Sequence, residues 1–328
     1  GDVEMPTESI TWTRTGRMAR RPVSIPEGVM QAPQSPCPEA KGPSMANAVE
    51  DMEFNSINFF KDDDEVMWMF EQLGADTRSH KRERKQGFRK MVTELWSPPR
   101  VTSMASRLPE FGLIPGLAMD LTCNDPDDGM PWDFNNEDKR MKAMKHVKEV
   151  KPLFVVVSPM CRAFSAWQAL NKARHPNSAA HMEETKQEAM VHLTFATEIC
   201  QEQLANGRYF LFEHPFGATS WHEECLQSLT EDSRVQKVRA DQCQMGAVAS
   251  SGPSKGGPVK KPTGFLSNSQ CILRELSKKC SGQGGACSRP QGGRHVPCEG
   301  KVARDAAIYP AKLCKLIIKG MHQQMKVD

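Results

Sequence analysis

The chain has 328 residues, with 43 basic and 40 acidic side chains and a formal net charge of +3. A 38% hydrophobic share, 23 glycines and 23 prolines exclude one packed globule filling the whole length, which otherwise suits one large domain or two small ones. The best apolar runs, Leu153–Val157 and Leu316–Ile318, fall far short of the ~18 residues of a membrane span, which excludes a membrane-spanning helix. The N-terminus has no basic region leading into an apolar core, so the expected setting is intracellular, nuclear or cytoplasmic, without secretion. Eleven cysteines, an odd number without an export signal, argue against a disulfide framework and for reduced thiols, a metal site or a catalytic thiol.

Residues 1–90 carry seven prolines before position 50 and no sustained periodicity, so they are expected to form a mostly disordered tail. An apolar patch from Phe54 to Phe70 is split by the acidic run Lys61–Glu65, and the basic stretch Lys81–Lys90 follows as a solvated linker or helix face. From residue 91 onward the pattern is that of one α/β domain. Val92–Trp96 is expected as a strand, Val101–Leu108 as a helix and Leu117–Thr122 as a second strand. Asn136–Val150 has helical spacing, and Leu153–Val157 is the β-branched run of a strand buried on both faces. Glu183–Asn206 is the longest helical pattern, followed by strands at Tyr209–Phe212, Val235–Arg239 and Phe265–Leu266. Strand and helix in alternation predict a mainly parallel, Rossmann-like sheet, whose active site lies at the carboxyl ends of its strands.

Those ends carry the polar residues. Ser158-Pro159-Met160-Cys161-Arg162-Ala163-Phe164-Ser165 follows one strand and Glu213-His214-Pro215 another. Ser97-Pro98-Pro99-Arg100 follows the first strand, and Asp120 lies in the second. A thiol on a tight turn beside a carboxylate on a neighbouring strand is a plausible nucleophile and general-acid pair, Cys161 and Glu213.

The order of these pieces resembles the C5-cytosine DNA methyltransferases, especially phage-type and retroelement-associated relatives. Glu94-Leu95-Trp96-Ser97 stands where the family has Asp-Leu-Phe-Ser, and the Cys161 and Glu213 segments resemble its Pro-Pro-Cys and Glu-Asn-Val or Glu-Asn-Pro motifs. Asp241-Gln242-Cys243-Gln244-Met245-Gly246 and Lys261-Pro262-Thr263-Gly264 resemble its Cys-Gln-Tyr-Gly and Lys-Pro-Thr stretches. The match covers roughly residues 91–320. It implies a divergent S-adenosylmethionine-dependent methyltransferase fold acting on cytosine in DNA, in a setting such as a mobile-element polyprotein. Cys161 and Glu213 would be catalytic, and Glu94, Trp96, Ser97, Asp120, Asp133, Ser158 and Pro159 would line the cofactor site. Arg162, Ser165, His214, Gln242, Gln244 and Lys261 would face the substrate. The family's glycine-rich loop is replaced by Ser97-Pro98-Pro99-Arg100, and this carries the alternative, a non-catalytic domain of the same fold that binds nucleic acid or a partner.

Residues 271–328 hold 11 basic and 4 acidic side chains, a charge suited to nucleic acid, expected to be DNA. Within them Cys280, Cys287, His295 and Cys298 lie in a glycine-rich loop with little core of its own, and form a complete tetrahedral set for zinc at 280–298, in which Cys271 could substitute for one ligand.

Overall fold

The computed structural model describes residues 90–165 and 179–328; the expected tail, with its apolar patch and most of the basic stretch, lies outside the described residues. The first half of the domain comprises β1 (Met91–Leu95), α1 (Val101–Arg107), β2 (Ile114–Met119), α2 (Glu137–Val150) and β3 (Phe154–Val157). Then come α3 (Ala179–Ala205), β4 (Tyr209–Pro215), α4 (Glu224–Thr230), β5 (Gln236–Asp241) and β6 (Pro262–Ser267). Three C-terminal helices follow: α5 (Gln270–Leu276), α6 (Gly300–Asp305) and α7 (Ala311–Val327). The six strands form one sheet in the order β2-β1-β3-β4-β6-β5, parallel except for β6, which runs against both neighbours. The expected α/β, Rossmann-like architecture with a mainly parallel sheet is therefore the one adopted.

Alternation along the strands divides their side chains between two cores. In β3, Val155 and Val157 face the layer of α2, α3 and α4, while Phe154 and Val156 face that of α1, α5 and α7. Both layers are covered, so the strand reads as an unbroken apolar run. Helix α2 starts where expected, with the Asn136 side chain accepting the Asp138 amide and Glu137 and Asp138 in the positive first turn.

Strand β2 starts and ends three residues earlier than the expected Leu117–Thr122. Pro115 and Gly116 resemble strand breakers in sequence, yet β2 is the sheet edge, where a missing amide donor is tolerated. Gly116 is required by close approach, since a Cβ there would stand 2.8 Å from the Val92 carbonyl oxygen.

Helix α7 supplies Leu313, Ile317, Ile318 and Met321 to the second core. It crosses α5 so closely that a Cβ on Gly320 would lie 2.6 Å from the Ile272 Cα. Alanine normally gains about 1 kcal/mol over glycine inside a helix, but backbone overlap of this kind costs about 1–3 kcal/mol. Gly320→Ala is expected to lower the urea midpoint; a midpoint raised by the substitution would show that the two helices separate freely.

Candidate active site and thiol cluster

The register aligns the strand ends at one edge of the sheet. Leu95 pairs with Val157, and Val157 with Phe212, so the turns leaving β1, β3 and β4 open side by side. Because β6 is reversed, its beginning lies at the same edge: Pro215 pairs with Thr263, and Asp241 at the end of β5 pairs with Pro262. Residues far apart in the chain thus meet there.

Cys161 is half-buried at the start of the 3-10 turn Arg162–Phe164. Burial pushes its thiol up, and the nearby Glu213 carboxylate pushes it further, against a smaller opposing effect of Lys261. Glu213 is buried, and its Oε1 accepts no hydrogen bond among the described residues. Lys261 Nζ stands 3.4 Å from that oxygen and donates to the Ala306 carbonyl at 3.3 Å.

His214 is fully buried among Phe164, Phe212 and Trp221. Its Nε2 lies 3.2 Å from the Pro159 carbonyl and its Nδ1 2.6 Å from the Ser220 hydroxyl. A carbonyl only accepts, so Nε2 carries the proton and Nδ1 accepts from Ser220. Burial holds this imidazole down to about 4, and it is neutral at pH 7. The ring therefore ties the Cys161 loop to the end of β4. Ser158, on the same loop, is hydrogen-bonded at 2.7 Å to the hydroxyl of the buried Tyr309.

At the β1 end, Glu94 is fully buried, and its Oε1 accepts from the Arg100 and Thr102 amides and the Thr102 hydroxyl at 2.7–2.8 Å. It satisfies amides at the start of α1 that have no partner within the helix. Its Oε2 is buried without a partner among the described residues. Trp96 adopts a left-handed backbone (φ 58°), donates its indole N–H to His192 Nδ1 at 2.9 Å, and packs against Phe134 and Phe195. Ser97 donates to the Pro98 carbonyl. Asp120 lies just beyond β2 and accepts from the Thr122 amide and hydroxyl, while Asp133 accepts from the Asn135 amide. Arg100 reaches across the edge to the Ala307 carbonyl.

The remaining expected substrate residues are dispersed. Arg162 is exposed and Ser165 half-buried beyond the Cys161 turn. Gln242 is fully buried and donates to the Thr263 hydroxyl. Gln244 instead points its amide at two sulfurs, 3.6 Å each from Cys243 and Cys287.

Those sulfurs belong to a second cluster. Ligand atoms of Cys243, Cys280, Cys287 and His295 all lie within 4.8 Å of one another. Three of the four expected ligands are brought together; Cys298 is exposed and outside the group, and Cys243 at the end of β5 takes its place. Burial works against ionising Cys280, but hydrogen bonds from the Ser288 hydroxyl and amide and the Gly282 amide bring its thiol down to about 6. Burial pushes Cys243 up to about 12.

Sequence reasoning had no signal for Tyr309, Ser220 or His192, which act through hydrogen bonds rather than motifs. Two open grooves, of about 550 and 610 Å³, lie along α2 and α3 rather than at the strand ends. No helix among the described residues is long and apolar enough to cross a membrane.

No family model and no curated protein matches the chain. Among solved structures, a methyltransferase of Entamoeba histolytica, EhMeth, aligns with a TM-score of 0.33 at 9% identity, over 54% of this chain. The chain spans about half the length of that structure, 52%.

Proposed function

We propose that this domain transfers a methyl group from S-adenosylmethionine to C5 of cytosine in DNA, with Cys161 and Glu213 as the reacting pair. The observation that carries this reading is a buried carboxylate oxygen that accepts no hydrogen bond among the described residues and faces only the Lys261 ammonium at 3.4 Å, beside a half-buried thiol on the adjacent strand end.

The Cys161 sulfur, once deprotonated, would bond to C6 of the base while the C5–C6 π electrons move onto C5. Glu213, having taken up a proton from solvent, would donate it to N3, and the carboxylate left behind would face Lys261. The base must leave the helical stack to reach them, since a ring carbon is inaccessible inside a duplex. Lys261 balances the Glu213 charge, and His214 and Tyr309 fix the Cys161 loop from either side.

S-adenosylmethionine would supply the electrophilic methyl; C5 would take it, S-adenosylhomocysteine would leave, and loss of the C5 proton to solvent would break the C6–S bond and free the Cys161 thiolate. Asp120, just beyond β2, and the half-buried Trp96 would offer a carboxylate and an aromatic edge to a ligand with a ribose and a ring. Such a ligand would be held by carboxylates and aromatic faces, because Pro98 and Pro99 contribute no amide donors. Asp133, Ser97, Ser158 and Pro159 complete the proposed lining.

A duplex containing 5-fluorocytosine, incubated with S-adenosylmethionine, is expected to give a denaturation-resistant adduct that Cys161→Ser eliminates. Its yield should climb as the pH rises above neutral, because the thiol is held protonated. An undiminished adduct in Cys161→Ser would remove Cys161 from the chemistry.

The diproline loop favours a second reading, the same fold binding nucleic acid through its basic C-terminal end without catalysis. Calorimetry separates the two: a folded protein giving no heat with S-adenosylmethionine leaves only the second.

A further inference from the structure

We propose that Cys243, Cys280, Cys287 and His295 bind one structural zinc ion, which joins the end of β5 to the C-terminal lobe, residues 277–310 with the loop 246–259 packed on it, and so braces the candidate active-site edge.

The distances carry the assignment. With Zn–S near 2.3 Å and Zn–N near 2.0–2.1 Å, a tetrahedron separates two sulfurs by about 3.8 Å and a sulfur from a nitrogen by about 3.5 Å. Cys280 Sγ lies 3.9 Å from Cys287 Sγ and 3.6 Å from His295 Nε2. The sulfur pair is far beyond the ~2.05 Å of a disulfide. Three sulfurs and one imidazole form a soft, closed donor set, typical of zinc in a structural role.

Polar hydrogens point at the sulfurs. Gln244 Nε2 is aimed at two of the sulfurs, and the Ser288 amide and hydroxyl both stand 3.4 Å from the third. Donors converging on sulfur in this way stabilise negative charge on metal ligands. The backbone fixes the ligands as well. The Cys280 amide donates to the buried Asp241 carboxylate, and Cys287 and His295 lie on either side of the bridge between Ala286 and Arg294.

The lobe needs such a tie. Its own core is small: Ala247, Ala249 and Val259 against Val296, Val302 and Ala306. Yet its far end makes three contacts with the candidate active-site edge. The Ala306 carbonyl receives Lys261, the Ala307 carbonyl receives Arg100, and Tyr309 holds Ser158. On the other side of the cluster, Gln242, next to Cys243, donates its amide to the Lys261 carbonyl. The four ligands therefore link two segments that both grip Lys261.

The full chain, produced with zinc in the medium and freed of loose metal, is expected to carry one zinc per chain by elemental analysis. Cys243→Ser and Cys280→Ser should lose most of it, whereas Cys298→Ser and Cys271→Ser should retain it. Retention by Cys243→Ser with loss by Cys298→Ser would overturn the ligand set. A metal-free wild type with native-titratable thiols would overturn the site itself. Because ligand variants can fail to fold, two measurements avoid them. Cobalt-substituted wild type should show the visible bands of a tetrahedral thiolate site; an octahedral spectrum would refute it. Gln244→Ala, which keeps all four ligands, should bind zinc about tenfold or more weakly; unchanged affinity would deny Gln244 its supporting role. Zinc content is read without S-adenosylmethionine or DNA, so it stands or falls apart from the proposed methyl transfer.

Discussion

Lys261→Met is expected to destabilise the domain by about 1–3 kcal/mol, the usual loss when a buried acceptor is left without its partner. The Lys261 and Glu213 side chains are 16% and 9% exposed, so the remaining carboxylate would be stranded in a poorly solvated place. The substitution also removes the donor to the Ala306 carbonyl, loosening the contact between β6 and the C-terminal lobe. Urea unfolding at pH 7 measures the loss. The double variant Lys261→Met with Glu213→Gln is expected to recover most of it, since no uncompensated buried charge remains. A double variant as unstable as the single one would mean that lost contacts, not charge, dominate.

His214→Asn is expected to remove much of the acid sensitivity of the fold while lowering its stability at pH 7. The folded imidazole titrates near pH 4, whereas an unfolded histidine titrates near 6.5. Its folded value is depressed, so its contribution is fully present above pH 6.5 and declines as the pH falls towards 4, because the unfolded chain takes up the proton first. At 1.36 kcal/mol per unit, the decline reaches about 2–3 kcal/mol by pH 4.5. Asparagine carries no such titration, so its stability curve between pH 7 and pH 4.5 should be flatter by that amount. At pH 7 the smaller side chain leaves space between Phe164, Phe212 and Trp221 and shortens the reach to Pro159, at a cost of about 2 kcal/mol. Equal pH slopes in the two proteins would show that His214 is not a buried neutral group.

What could be read in advance was local. The valine run of β3 announces a strand with two covered faces, and Asn136 with Glu137 and Asp138 announces the start of α2. The clustering of polar residues after β3 and β4 was equally legible, because strand ends open into turns at one edge. What could not be read depends on the reversal of β6. Cys243 stands far upstream of Cys280 and belongs to no close spacing, whereas Cys298 lies near the other ligands in sequence. Only the sheet topology brings Cys243 to the cluster and leaves Cys298 outside. Helix α7 is a different case: Leu313, Ile317, Ile318 and Met321 recur at helical spacing, so its stripe is legible in the sequence, whereas the close approach of α5 beneath Gly320 is not.

The chain contains just two tyrosines, Tyr209 and Tyr309, and they occupy opposite situations. Tyr209 presents its hydroxyl to Asp328, while Tyr309 is sealed at the candidate active-site edge against Ser158. That scarcity makes the molecule its own spectroscopic instrument. A fluorotyrosine label would place one nucleus at the start of β4, beside Asp328, as an internal reference and one beside the Cys161 loop. Events at that loop could then be followed in solution without attaching a probe to any of the cysteines whose chemistry is in question.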